Sequence, residues 1–441
     1  MPPPSERYPV ATTTAVPGLH PDAHGTTIFR TLLRFFIMKQ FLLYLTAFAL
    51  ATFTFSCQDE AAISSSEDTQ ANYSELDAAF TGYEVVELPT ADILARSVGR
   101  EADGFNLDLG LTEHPTWNFL LQHHDFTNGG DYKAYVSGEN GDWVEIEREG
   151  RQDAYHGQTV DHQSRGMFLM EDNVLRAEIY DADVQYGLDP LSEYVAGASP
   201  DQYVLYRLDA DIAGNRFECG TEDDVHLDGK QVGGDAFKAT CREMSVSYIA
   251  DYDFYKNKFG RNSTNTRNWM EARLKFGSYR YWGYNDYPLY FWLYRSYVQT
   301  NGNNEPSTSS NSSTFLSNYR AWARAGNITR GDANLCYTGT DFGGLFGLAY
   351  TSTVCKFTSS GKRRAFGIVT KLSGISSSVY SKVTGHEIGH ELGAGHQNSG
   401  FMKQGNHSNS SMPTATRNQL NTHINSYNSC MGNKTCVNLR N

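Results

Sequence analysis

Apolar and polar positions along the chain follow two different rhythms. In the first half, short runs alternate with a period of two. The clearest are 83–88, 133–136 and 143–147, and 166–180 and 192–208 continue the pattern, with turn-forming residues such as Asn128, Gly129, Gly130 and Asp131 between them. A period of two puts successive side chains on opposite faces of a strand, so this region predicts a β-rich module of about 150 residues. From Arg242 the rhythm changes. Residues 244–250 alternate like a strand, 265–276 carry helical spacing, and 290–298 form an aromatic strand. A polar loop at 299–313 follows, then a short helix at 315–325 with Trp322 on its apolar side, a stretch at 331–355 that leads into a strand, and a helix at 376–392. Strands alternating with helices predict an α/β arrangement behind the β-rich region.

The N-terminal part reads differently. An apolar run, 41–55, follows Met38, Lys39 and Gln40 and ends at Ser56 and Cys57, which is the layout of a signal peptide. At about 15 residues it falls short of the roughly 20 that a transmembrane helix needs. Residues 1–37 read as a non-native or untranslated extension, 38–57 as the signal peptide, and 58–73 as a polar disordered linker. Export permits disulfides, and apart from Cys57 the seven cysteines leave Cys219, Cys241, Cys336, Cys355, Cys430 and Cys436. None has the close paired spacing of a structural zinc knuckle. A net charge of −13 over 441 residues argues against nucleic acid as a partner.

The chemistry concentrates in the last predicted helix. His386 and His390 are four apart, so on a helix they share one face and can grip one metal ion. Glu387 stands beside the first, placed to take a proton from a metal-bound water. Gly393 can take the left-handed conformation that ends a helix, turning the chain so that His396 becomes a third ligand. Three protein ligands leave a fourth position open, the arrangement of a catalytic rather than a structural Zn2+. The histidines at 123, 124, 156 and 162 show no ligand spacing and read as ordinary surface or core residues, and His407 and His423 fit no ligand offset and read as surface residues.

This motif resembles the extended zinc signature of the metzincin metalloendopeptidases. The order of elements and the segment from Asp341 to Cys355 resemble the adamalysin, or reprolysin-like, branch, although Gln397 stands where that branch usually has an aspartate. The resemblance implies a metzincin catalytic domain over 242–441, a twisted mixed sheet with an active-site helix, preceded by a β-rich pro-region over 74–241. It implies a zinc-dependent endopeptidase acting on protein or peptide substrates. The substrate would lie extended along an edge strand that includes Gly344, Leu345, Phe346, Gly347 and Leu348. It also implies a methionine turn under the metal, at Met402 or, alternatively, Met412, and a disulfide between Cys355 and Cys430, with Cys336 and Cys436 as the natural remaining pair. Cys219, in a Cys-Gly just before the catalytic part, resembles the cysteine switch of metzincin zymogens; a disulfide to Cys241 is the alternative. The stretch 54–57 resembles a bacterial lipoprotein signal, which would lipidate Cys57 and tether a cell-surface protein, whereas cleavage nearby would give a freely secreted one. The rival reading is a surface lipoprotein with a binding N-terminal region and an inert zinc-containing protease fold.

Overall fold

The computed structural model describes residues 73–100, 103–128, 130–148, 152–171, 173–210, 218–222, 240–303, 305–306, 308–404 and 410–435. The expected N-terminal extension and signal peptide, the linker through residue 72, Cys57, His407 and Cys436 lie outside these residues. Among the described residues, no helix is long and apolar enough to cross a membrane.

Two sheets carry the structure. The first is antiparallel throughout and holds strands β1 (Tyr83–Glu87), β2 (Phe105–Asp108), β3 (Asn118–His123), β6 (Gln152–Thr159), β7 (Ser164–Glu171), β8 (Val174–Asp181), β9 (Val184–Pro190) and β10 (Gln202–Arg207). Their order is β1-β10-β9-β8-β7-β6-β3-β2, so most neighbours in sequence are neighbours in space, as short turns between alternating runs require. Helices α1 (Ser74–Ala79) and α2 (Thr90–Ser97) accompany this sheet, and one face of α2 buries Ile93 and Leu94 in its core.

The second sheet is mixed, with the order β11-β15-β16-β14-β12-β13-β4-β5 among the described residues. Its centre is β12 (Thr240–Ala250), parallel to β13 (Leu289–Val298) on one side and to β14 (Ala333–Thr338) on the other. Near the start of β12 the C-terminal strand β17 (Gly432–Thr435) pairs antiparallel to it. Beyond β14 lie β16 (Gly367–Thr370), parallel, and β15 (Leu345–Tyr350), antiparallel. Two segments from the N-terminal half complete the sheet. The hairpin β4 (Lys133–Ser137) and β5 (Trp143–Ile146) extends it past β13, and β11 (Glu218–Glu222) adds to β15 at the other end. The sheets therefore do not divide at residue 241, where the change of rhythm places the boundary. Local alternation predicts each strand but not which distant strand it joins.

Helix α3 (Ser263–Tyr279) starts where the Asn262 side chain accepts from the Asn265 backbone N–H, and it packs on β13 and on the last long helix, α5 (Ser377–Glu391). Helix α4 (Ser312–Trp322) is capped the same way by Asn311. Helix α6 (Thr414–Ser426) follows α5 in the chain.

Candidate metal centre

Every residue of α5 is buried, so it shows no polar stripe, as expected of a helix with packing on all sides. Glycines make that packing feasible. A Cβ on Gly385 would lie 3.2 Å from the backbone oxygen of Gly277, where α3 crosses, and one on Gly389 would lie 2.6 Å from Met402 Sδ. Met402 thus sits directly beneath the turn that separates His386 from His390. Met412 is also buried but lies on the chain farther along, its N–H donating to Asn285 Oδ1. At the end of the helix Gly393 takes φ +89°, and the Gly393 and Ala394 N–H groups close onto His390 O and Gly389 O. That reversal presents His396, and Gln397 secures it by donating to Gln419 Oε1 and through its N–H to Met402 O.

The three imidazoles converge. His390 Nε2 lies 3.0 Å from His386 Nε2 and 3.2 Å from His396 Nε2. His386 Nδ1 is 3.0 Å from Phe401 O and His390 Nδ1 is 2.7 Å from Ala394 O. A carbonyl oxygen only accepts, so both Nδ1 atoms carry protons and both Nε2 atoms turn lone pairs towards one point. Lone pairs held this close repel unless a cation lies between them, so the donor set fits a metal ion that takes imidazole ligands, as Zn2+ does. Burial holds the imidazoles in the neutral, ligating form: it pushes His386 well below the usual histidine range, lowers His390 to about 3, and lowers the half-buried His396 as well.

Cys219 joins this cluster. Its sulfur, with the ligand nitrogens of the three histidines, forms a group whose members all lie within 4.8 Å of one another, the one such His/Cys/Asp/Glu group among the described residues. The sulfur is 3.6 Å from His390 Nε2, and its S–H donates to Glu387 Oε1 at 2.9 Å. Burial pushes the Cys219 thiol well up, and the Glu387 carboxylate beside it adds to the effect. Burial also pushes Glu387 well above the usual carboxylate range, partly offset by that thiol hydrogen bond. Glu387 fits because the strand beside it carries no side chain at Gly347, where a Cβ would lie 2.1 Å from Oε1.

The edge expected to receive a substrate is not open. β11 runs parallel to β15 with Cys219 opposite Gly347 and Gly220 opposite Leu348, and Gln404 Nε2 donates to Cys219 O at 2.8 Å. Leu345, Phe346, Gly347 and Leu348 belong to β15, while Gly344 precedes it in a turn at φ +94°. A pairing between residues more than a hundred positions apart leaves no local pattern, so the unpaired edge had to be assumed.

The cysteines resolve partly. Cys355 and Cys430 form a disulfide. Cys219 is free and Cys241 is disulfide-bonded, so the alternative Cys219–Cys241 bridge does not form. Cys336, on β14, is a buried free thiol in the core with Ile249, Phe315 and Tyr319, which excludes its expected pairing with Cys436. His423, read as a surface residue, is buried: α6 turns it inward, where Nδ1 meets Ser352 Oγ at 2.8 Å and Nε2 meets Val354 O at 3.0 Å. The 3.6 period through Thr416, Leu420, His423 and Ile424 was a signal that could have placed it. The roles of Gly347 and Gln404 had no such signal.

Comparison with known proteins agrees with this geometry. Residues 284–397, which run from the end of the α3 region through His396, match the family described as Metallo-peptidase family M12B Reprolysin-like. The chain is also 24% identical over 241 residues to human disintegrin and metalloproteinase domain-containing protein 9, an alignment covering 50% of this chain and 27% of that protein. The chain therefore spans only about a quarter of the relative's length. The mixed sheet with its buried α5 fits a metzincin catalytic domain, and together the matches support the metzincin/reprolysin family of metallopeptidases.

Proposed function

We propose that this chain is an exported zinc-dependent endopeptidase made in a latent form. The observation that carries the reading is the convergence of three Nε2 lone pairs beside Glu387, with a peptide strand already laid along β15. His386, His390 and His396 would hold Zn2+, which would supply a Lewis acid that polarises a peptide carbonyl and eases deprotonation of water. Glu387 accepts the proton of the attacking water on a carboxylate oxygen and returns it to the leaving nitrogen. Its Oε2 has no hydrogen-bond partner among the described residues, so it is available for that exchange. Met402 forms the apolar floor beneath the ligands. Once β11 leaves, β15 offers backbone groups to any extended peptide, which suits protein substrates of varied sequence.

Latency follows from occupancy. Cys219 stands among the three imidazoles, where its sulfur would take the fourth ligand position, and its S–H occupies the general base, while β11 covers the substrate edge. The Cys355–Cys430 disulfide fits an oxidising compartment and supports export. Intact-mass analysis of the native product, read for cleavage and acyl chains at Cys57, tests the route. Casein zymography before and after trypsin nicking tests the activity: a cleared band that strengthens on nicking is expected. No cleared band in either state supports instead an inert zinc-containing surface lipoprotein.

A further inference from the structure

The β-rich part of the chain has a core of its own, yet a second core is shared with the metal-binding half. One hydrophobic core runs from its Phe126, Met167, Leu169 and Tyr180 directly into Met244, Trp269, Tyr279 and Trp282 of the metal-binding half. Aromatic rings interlock across the same seam. His124 stacks on Trp282 at 4.5 Å and on Tyr290 at 5.6 Å, Tyr180 stacks on Tyr284 at 4.1 Å, and Tyr135 stacks on Tyr297 at 5.0 Å. The Trp143 indole N–H donates to Asn327 O. Strand β4 is hydrogen-bonded along β13, with Lys133 to Val136 opposite Arg295 to Val298, so the sheet under the metal site continues into the N-terminal half.

Charges cross the seam too. Arg280, following α3, meets Glu178 at 2.7 Å with both side chains almost fully buried, and Glu271 of α3 meets Arg148 at 3.0 Å. Ser377, in the first turn of α5, donates to Glu193. Removing the N-terminal half would expose the rings of Trp282, Tyr284, Tyr290 and Tyr297, free one edge of β13, and leave Arg280 and Glu271 without these partners. An interface built this way has the apolar, aromatic and backbone-paired character of an obligate one. By contrast, β11 is a five-residue strand held to the site by pairing with β15, one thiol and the Gln404 amide.

From this contrast we infer that residues 73–210 are a permanent, non-covalently retained subunit of the working protein, and that β11 alone is displaced on activation. The inference rests on the proposed latency for the word activation, but its test reads association and not catalysis. The full chain is given two recognition sequences for a specific protease, one between Ala213 and Gly214 and one between Val232 and Gly233, so that cutting at both frees β11 from either half. After cleavage the protein is passed over a sizing column with and without reductant, and the peak is weighed by native mass spectrometry. Both halves in one peak at their summed mass, with two bands on a denaturing gel, is the expected result. Elution of the N-terminal half on its own overturns the inference, whether or not the remainder cleaves casein. Failure of the peptidase reading shows separately, as loss of casein hydrolysis with the two halves still together.

Discussion

A methyl group at residue 347 probes the geometry on which the proposed chemistry depends. In the Gly347→Ala variant the new Cβ would stand 2.1 Å from Glu387 Oε1 and 2.5 Å from its Cδ, against ordinary contact at 3.4 Å or more. The carboxylate has to retreat by roughly 1 Å, a misplacement that costs on the order of 10²-fold in rate when the group must meet a reacting atom. That corresponds to about 2.7 kcal/mol of transition-state stabilisation. His386 and His390 are held independently of Gly347, through Phe401 O and Ala394 O, so zinc content should not change. The assay is kcat/KM on a fluorogenic casein after nicking, with zinc measured by mass spectrometry of the same sample. The expected result is a fall of about 10²-fold, chiefly in kcat, with zinc retained. Overpacking also destabilises by about 1–3 kcal/mol, so the comparison is made well below the melting temperature of the variant. Activity within about twofold of wild type would show that Glu387 does not need the position seen here and would refute the reasoning.

Other perturbations separate the remaining parts. Cys219→Ala removes the thiol but leaves β11 paired with β15 and Gln404, so casein hydrolysis before nicking should rise yet stay below that of nicked protein; unchanged latency removes the thiol from the account. Replacing both Cys355 and Cys430 by Ala opens a link across 75 residues and should cost about 4 kcal/mol in urea unfolding, and an unchanged midpoint would contradict this. Burial lowers His156 and His423 to about 4 from an ordinary 6.5, so the fold keeps them neutral while the unfolded chain protonates them. Stability is therefore complete above pH 6.5 and declines as pH falls from 6.5 towards 4, by at most about 1.4 kcal/mol per pH unit for each histidine. His156→Gln should flatten that slope, and parallel curves for variant and wild type would rule the assignment out.

Much of the metal centre could be read locally because its determinants are local. The spacing of His386 and His390 and the reversal at Gly393 lie within one helix and its cap, and α5 begins and ends within a residue of the expected 376–392. Strands β12 and β13 and helix α3 were likewise visible in their periodicity. What escaped depends on long-range partners. Nothing near Cys219 states that its strand will lie along β15, and nothing in 133–146 states that this hairpin will extend the sheet through β13. Gly347 looked like a residue of a packed or substrate-binding strand, yet its bareness makes room for Glu387 from a helix forty residues later. His423 was misplaced because its polar identity outweighed the helical period that buries it.

The central claim is that three histidines bind a catalytic zinc while Glu387 moves the proton. Bound zinc and casein hydrolysis, measured side by side on nicked wild type and nicked Glu387→Ala, test it most directly. The expected result is one zinc per chain in both proteins, with hydrolysis lost by several orders of magnitude in the variant alone. Equal hydrolysis by the two, or wild type that cleaves casein while carrying no zinc, would contradict it.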